Sequence, residues 1–253
     1  MTDVAVELLE GFVALVEVRR PPNNFFDVGM ISAIADAYDE LDVNDQCRAI
    51  VLCAEGKHFC AGADFSGASR SGGDTTADLY AEAVRLFEAK TPVVAAVQGA
   101  AIGGGLGLAC SADFRVASPS TRLAANFAQL GFHHGFGLSV TLPAIVGNQH
   151  SATMLYTGRR INAEEAGAIG LVDRVVADED LRPTAIAMAA EIAMSAPLAV
   201  RSIRKTLRGD LADRVRVATN RERQEQERLR RTEDWAEGVR ASAERRPPRF
   251  TGR

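Results

Sequence analysis

Short, wholly apolar runs that each end in a glycine-rich bend set the frame of this chain. RAIVLCA (48–54) leads into GKHFCAGAD, and VVAAV (93–97) leads into QGAAIGGGLGLAC. Apolar runs of this length without polar alternation are covered on both faces, the mark of strands buried under helices. DFRVAS (113–118) and LVDRVV (171–176) add further strands. Between them, residues 28–42 place Met30, Ile34, Tyr38 and Leu41 at helical spacing behind a capping Asp27, and residues 76–90 form a helix that stops before Thr91-Pro92. VAVELLEGFVALVEV is two β-branched runs broken at Glu10-Gly11, a hairpin signal. RRPPNNFF reads as a turn-rich loop and FSGASRSGGDTT as a mobile one. The alternation of strand, loop and helix predicts an α/β core with right-handed crossovers. From residue 137 the pattern turns helical, with glycines at helix ends, and RERQEQERLRR (221–231) mixes both signs of charge as a solvated helix face does.

Composition narrows the function classes. The 253 residues are 47% hydrophobic, enough for a sizeable core, and carry a net charge of −4, which gives no basis for nucleic acid as a partner. No apolar run reaches the roughly 18 residues needed to span a bilayer, so no membrane partner is expected. MTDVAVELLEG lacks the basic-then-apolar pattern of a signal peptide, and a cytoplasmic location is expected. Cys47, Cys53, Cys60 and Cys110 show neither a CxxC pair nor zinc-ligand spacing, so no metal is expected and the thiols read as packing residues. Cys60 lies in the first bend, yet no histidine or basic residue is assigned to activate it as a nucleophile.

The two bends offer bare backbone. GGGLG follows a strand and opens a helix, where the first N–H groups lack intrahelical partners and glycine permits close approach. CAGAD also follows a buried strand. The spacing matches neither G-x-G-x-x-G, since position 108 is Leu, nor a P-loop. Two amides from separate loops can converge on one oxygen as an oxyanion hole; tight turns alone would show the same glycines.

Taken together, the motifs resemble the enoyl-CoA hydratase/isomerase family, the crotonase superfamily. RRPPNN resembles its R-P-x-x-x-N turn, GKHFCAGAD its G-x-x-F-[SAC]-A-G-x-D loop, and KTPVVAAVQGAAIGGGLGLACSADFRVAS its G-G-G block; ERRPPRFTGR resembles its terminal E-K-R-x-P-x-F. The resemblance covers almost the whole chain. It implies a crotonase-like spiral of ββα units over residues 1–195 with the acyl-CoA site, and a C-terminal helical region over 196–253 for packing into a homotrimer or a hexamer (a dimer of trimers). It implies an acyl-CoA thioester as substrate, with coenzyme A entering as part of that substrate and no permanently bound cofactor. The N–H groups of Ala61 and Gly104 would form the oxyanion hole. Ala61, Gly62, Ala63 and Asp64 would line the thioester, Phe127 the acyl group, and Phe250 an adenine, that of a neighbouring subunit included. Asp113 carries over as structural.

The chain departs from the family pattern where hydratases carry two glutamates. Those positions are Gly107 and Phe127 here, and neither side chain transfers a proton. His133 and His134, adjacent in the loop after Gly131, are the substitutes to consider, His134 ahead of His133, against a purely packing role for both. The leading reading is an enzyme of lyase or isomerase type with a non-standard acid/base. The alternative is a non-catalytic acyl-CoA-binding protein of the same fold. A serine protease on a related spiral, with Ser111 as its nucleophile, would call for a G-x-S-x-G that the sequence lacks.

Overall fold

The computed structural model describes residues 3–63 and 76–253, so Asp64 and nearly all of FSGASRSGGDTT lie outside the described residues. Strands β1 (Val4–Leu9), β2 (Val13–Val18), β3 (Ala49–Ala54), β4 (Val93–Val97), β6 (Phe114–Ala117) and β9 (Arg174–Val175) form one sheet in the order β1-β2-β3-β4-β6-β9. β1 and β2 are the expected antiparallel hairpin, and every later pairing in this sheet is parallel. A second sheet holds β5 (Ala100–Ile102), β7 (Arg122–Ala124) and β8 (Ile161–Asn162) in the order β5-β7-β8.

The continuous apolar runs sort by strand period. In β3, Ile50, Leu52 and Ala54 face a core shared with helix α1 (Val28–Asp42), whose Met30, Ile31, Ile34, Tyr38 and Leu41 supply the helical stripe. Ala49, Val51 and Cys53 face a second core closed by helix α6 (Leu181–Ala193), with Leu181, Ala185, Ala189 and Ala193 four residues apart. Small residues at that spacing let the helix lie close on the sheet. Asp27 caps α1 as its position predicts, its Oδ1 accepting the Met30 N–H at 2.9 Å.

The second sheet is the element that periodicity misses. Its strands are two or three residues long, too short to show alternation. The other helices are α2 (Thr76–Glu88), α3 (Gly104–Ser111), α4 (Leu138–Thr157), α5 (Ala163–Ala168), α7 (Pro197–Arg208), α8 (Leu211–Leu229) and α9 (Glu233–Ala243). α4 bends at Gly147 (φ 75°, ψ 165°), where a break between two helices is expected from the sequence. α8 packs on α2 and α4, and α9 packs on the turn at 128–130. The C-terminal helices therefore close over the core rather than standing apart from it. No single helix among the described residues is long and apolar enough to cross a membrane.

Candidate functional site

The two bends meet. The segment after β3 is stitched to β5 on one side: Cys60 N–H donates to the Ala100 carbonyl at 2.9 Å, and Ile102 N–H to the Cys60 carbonyl at 3.1 Å. On the other side Phe26 N–H donates to the Gly62 carbonyl at 3.1 Å. Asn24, fully buried, clamps this second side, its Nδ2 donating to the carbonyls of Glu55 (2.8 Å) and His58 (2.5 Å). Gly105 is required by this closeness, since a Cβ there would stand 2.1 Å from the Cys60 carbonyl oxygen. Gly62, at φ +97°, turns the chain where a Cβ would come within 3.0 Å of the Ile102 carbonyl.

These bends border a cavity of about 800 Å³. At one mouth lie Lys57, His58 and Arg122, at the start of β5 and β7, together with Arg160 just before β8. At the other end lie Tyr80 of α2 and Gln226 of α8, and between them stand Ala61, Gly62, Ala63, Gly103 and Gly104. Phe26, Phe127, Phe132 and Phe136 make its apolar wall. Five cationic side chains line it, Lys57, Arg122, Arg160, Arg230 and Arg245, and none forms an ion pair with a described residue. No aspartate or glutamate occurs among the described lining residues.

The structure corrects the choice of amide. Ala61 N–H, expected in the oxyanion hole, donates to the Asn23 carbonyl at 2.9 Å and is not free. The next amide but one, Ala63, has no acceptor among the described residues, and neither does Gly104 at the first turn of α3. Both residues border the cavity. Ala63 is in the motif, but only the neighbouring loop decides which of the two alanine amides is left over.

The histidine expectation is also corrected. Neither His133 nor His134 lines the cavity. Their rings stack at 4.1 Å; His133 Nδ1 lies 2.8 Å from the His134 carbonyl oxygen, and His134 Nε2 lies 2.8 Å from Ser139 Oγ. Ser139 Oγ donates to Glu222 Oε1 at 2.7 Å, and wholly buried Glu222 also accepts the N–H groups of Gly137 (2.9 Å) and Ser139 (3.0 Å), capping α4 from α8. Burial, with His133 beside it, holds His134 down at about 3. A histidine whose folded pKa lies below its unfolded value of roughly 6.5 stabilises the fold fully above that value, and the contribution is lost as pH falls. Between pH 6 and 4 the chain is expected to lose about 1 kcal/mol per unit through this group. Burial holds Glu222 above the ordinary carboxylate range, which acts in the opposite sense, so the readout is a difference. Urea midpoints of His134→Gln should fall less steeply than those of the unaltered chain; parallel slopes would show that His134 is not the buried neutral group.

The remaining candidates separate clearly. Phe127 lines the cavity, 8% exposed, with its ring edge-on to Phe132 at 5.5 Å. Phe250 is 42% exposed and is not on the cavity wall of this chain. Gly107 has no room for a side chain, because a Cβ would stand 2.6 Å from Phe136 Cβ and 2.8 Å from its ring. The Cys60 thiol, fully buried, is pushed up to about 12, which removes it as a nucleophile. Ser111 Oγ donates to the Leu108 carbonyl at 2.7 Å and is buried. Sequence reasoning misses Gln226, Arg230, Arg122, Arg160 and Phe136, which no local motif marks. Among the described residues no group of three His, Cys, Asp or Glu could hold a metal ion.

Helices closed over a mostly parallel sheet, with the strand-end bends meeting at a cavity, define this as a crotonase-fold protein. The chain belongs to the enoyl-CoA hydratase/isomerase family, whose profile matches residues 9–253. It is similar to an enoyl-CoA hydratase/isomerase of Pseudoalteromonas atlantica, with a TM-score of 0.89 and 30% identity over 99% of this chain and 100% of that one. An enoyl-CoA hydratase of Mycobacterium avium aligns at a TM-score of 0.85 with 27% identity, covering 99% of each chain. The carnitinyl-CoA dehydratase of Proteus mirabilis is 32% identical over 96% of each chain.

Proposed function

We propose that this chain is an enzyme that acts on an acyl-CoA thioester and stabilises its enolate with the amides of Ala63 and Gly104. One observation carries the reading: a cavity with two amides in its wall that have no acceptor among the described residues, aromatic rings on one side, and cations at its mouth that form no ion pair with a described residue. Lys57, Arg122 and Arg160 suit the phosphates of coenzyme A, and the phenylalanines suit the acyl group. An amide donating to a developing oxyanion is worth about 3–4 kcal/mol, because it needs no reorganisation in the transition state. The enzyme works without the two glutamates of family hydratases. Gly107 and Phe127 stand at those positions, and Phe136 fills the space a residue-107 side chain would need. In place of His134, the wall presents Tyr80 and His58 as candidate proton-handling side chains. Burial raises the Tyr80 hydroxyl and keeps it protonated, a donor at neutral pH.

The C-terminal helices serve a homotrimer or a hexamer. Met194, Leu198 and Leu207 support this, being 87%, 81% and 82% exposed on one chain. A second reading, an acyl-CoA binder without turnover, is favoured by the absence of carboxylates among the described lining residues.

The test is a panel of acyl-CoA esters measured for binding by calorimetry and for consumption by mass spectrometry. Consumption of an ester supports the enzyme reading. Binding without consumption of any ester selects the second, and no binding above that of coenzyme A overturns both.

A further inference from the structure

We propose that the acyl group this cavity takes is an aryl group whose ring carries a hydrogen-bonding substituent; this rests on the acyl-CoA reading above. The chain is poor in aromatic residues, with eleven phenylalanines, three tyrosines and one tryptophan. Yet Phe25, Phe26, Tyr80, Phe127, Phe132 and Phe136 all border this one cavity. The rings are held, not loose. Phe26 meets Phe136 edge to face at 5.7 Å, Phe127 meets Phe132 in the same way at 5.5 Å, and Phe132 is braced from behind by Trp235 at 4.5 Å. An alkyl chain is served equally well by leucine or valine. Fixed rings favour a flat ring, which gains about 0.5–1.5 kcal/mol per aromatic contact beyond burial of its area.

A buried polar pair stands in this wall beside Phe136. Tyr80 Oη donates to Gln226 Oε1 at 3.0 Å, and Gln226 Nε2 donates to the His133 carbonyl at 3.0 Å. Tyr80 is 7% and Gln226 3% exposed. Room for the pair is kept by Gly135, where a Cβ would stand 1.8 Å from Tyr80 Oη and 2.7 Å from Gln226 Nε2. A buried polar pair in an acyl pocket gives an alkyl tail nothing, but it meets a ring hydroxyl with both a donor and an acceptor.

The experiment compares calorimetric affinities for phenylacetyl-CoA, 4-hydroxyphenylacetyl-CoA and octanoyl-CoA, whose acyl groups share one carbon count, with coenzyme A as baseline. Phenylacetyl-CoA is expected to bind about tenfold more tightly than octanoyl-CoA, and the hydroxyl to add a further gain. Phe127→Leu and Phe132→Leu should each pull the aryl-to-alkyl ratio towards one while leaving the affinity for coenzyme A in place. Tyr80→Phe should abolish only the gain from the hydroxyl. Octanoyl-CoA binding as tightly as phenylacetyl-CoA, or a ratio that survives both leucine variants, overturns the proposal while leaving the acyl-CoA reading standing. If no ester exceeds coenzyme A, that reading falls and this one with it.

Discussion

Gly107→Ala is expected to lower the stability of the chain by about 3 kcal/mol, although it adds a single methyl group. The methyl would stand 2.6–2.8 Å from the side chain of Phe136, a residue 1% exposed and held edge-on by Phe26. It has nowhere to go, because the interior is packed to the density of a crystal and Phe136 cannot swing away without displacing its neighbour. Phe136→Ala alone should cost about 3–4 kcal/mol through the cavity it leaves. In the double variant the methyl at 107 enters that cavity, so the combined loss should fall at least about 2 kcal/mol short of the sum. Denaturant unfolding of the four proteins measures this. Strict additivity would mean that something other than Phe136 excludes a side chain at 107. The functional corollary is that Gly107→Glu with Phe127→Glu cannot seat a carboxylate while Phe136 remains. Gly107→Glu and Phe127→Glu combined with Phe136→Ala is the set expected to raise crotonyl-CoA hydration.

A second large effect lies away from the cavity. Asp113 accepts the Val93 N–H at 2.8 Å, Arg204 Nε at 2.9 Å and Arg208 Nε at 2.8 Å. Arg204 is 9% exposed and also donates to the Ala89 carbonyl, while Arg208 donates to the Ser111 carbonyl at 2.8 Å. The carboxylate thus ties α7 to the ends of α2 and α3 and to the start of β4. Asp113→Asn leaves two guanidinium groups buried without their counter-charge, a loss of about 3–5 kcal/mol and roughly 10 °C in melting temperature. Although burial alone would raise the Asp113 carboxyl, Arg208 and Arg204 hold it below its ordinary value. Its stabilisation is therefore complete above the usual carboxylate range and disappears as pH drops below that range, and the variant should lack this acid-side loss. A melting temperature within 2–3 °C of the unaltered chain, a difference of about 1 kcal/mol, would show that the charge is not needed.

The frame of the fold is plain in the sequence where physics makes it local. Buried runs such as RAIVLCA and VVAAV announce strands because both their faces are covered, and Asp27 announces a helix start because capping is a three-residue matter. The glycines at 62 and 103 mark the bends for the same reason, each holding a positive φ, whereas Gly105 answers to the distant Cys60 carbonyl. What escapes is set by partners distant in the chain. Whether Ala61 or Ala63 has a free amide depends on the Asn23 carbonyl, nearly forty residues earlier. His133 and His134 look eligible as a pair, but neither lines the cavity: His134 meets Ser139, and His133 stacks on His134 with its Nδ1 at the His134 carbonyl. Gln226 and Arg230 lie in a stretch that reads as a solvated helix face, and their place on the wall follows only from the packing of α8 on α2.

The placement of α8 has a consequence for biosynthesis. Tyr80 is made early, yet its hydrogen-bonding partner Gln226 emerges nearly one hundred and fifty residues later. A chain growing on the ribosome can assemble β1 to β4 and both bends well before it can enclose a ligand. The wall beside Tyr80 is finished only when α8 is in place, so a ligand can be enclosed only by a chain that has grown past residue 226.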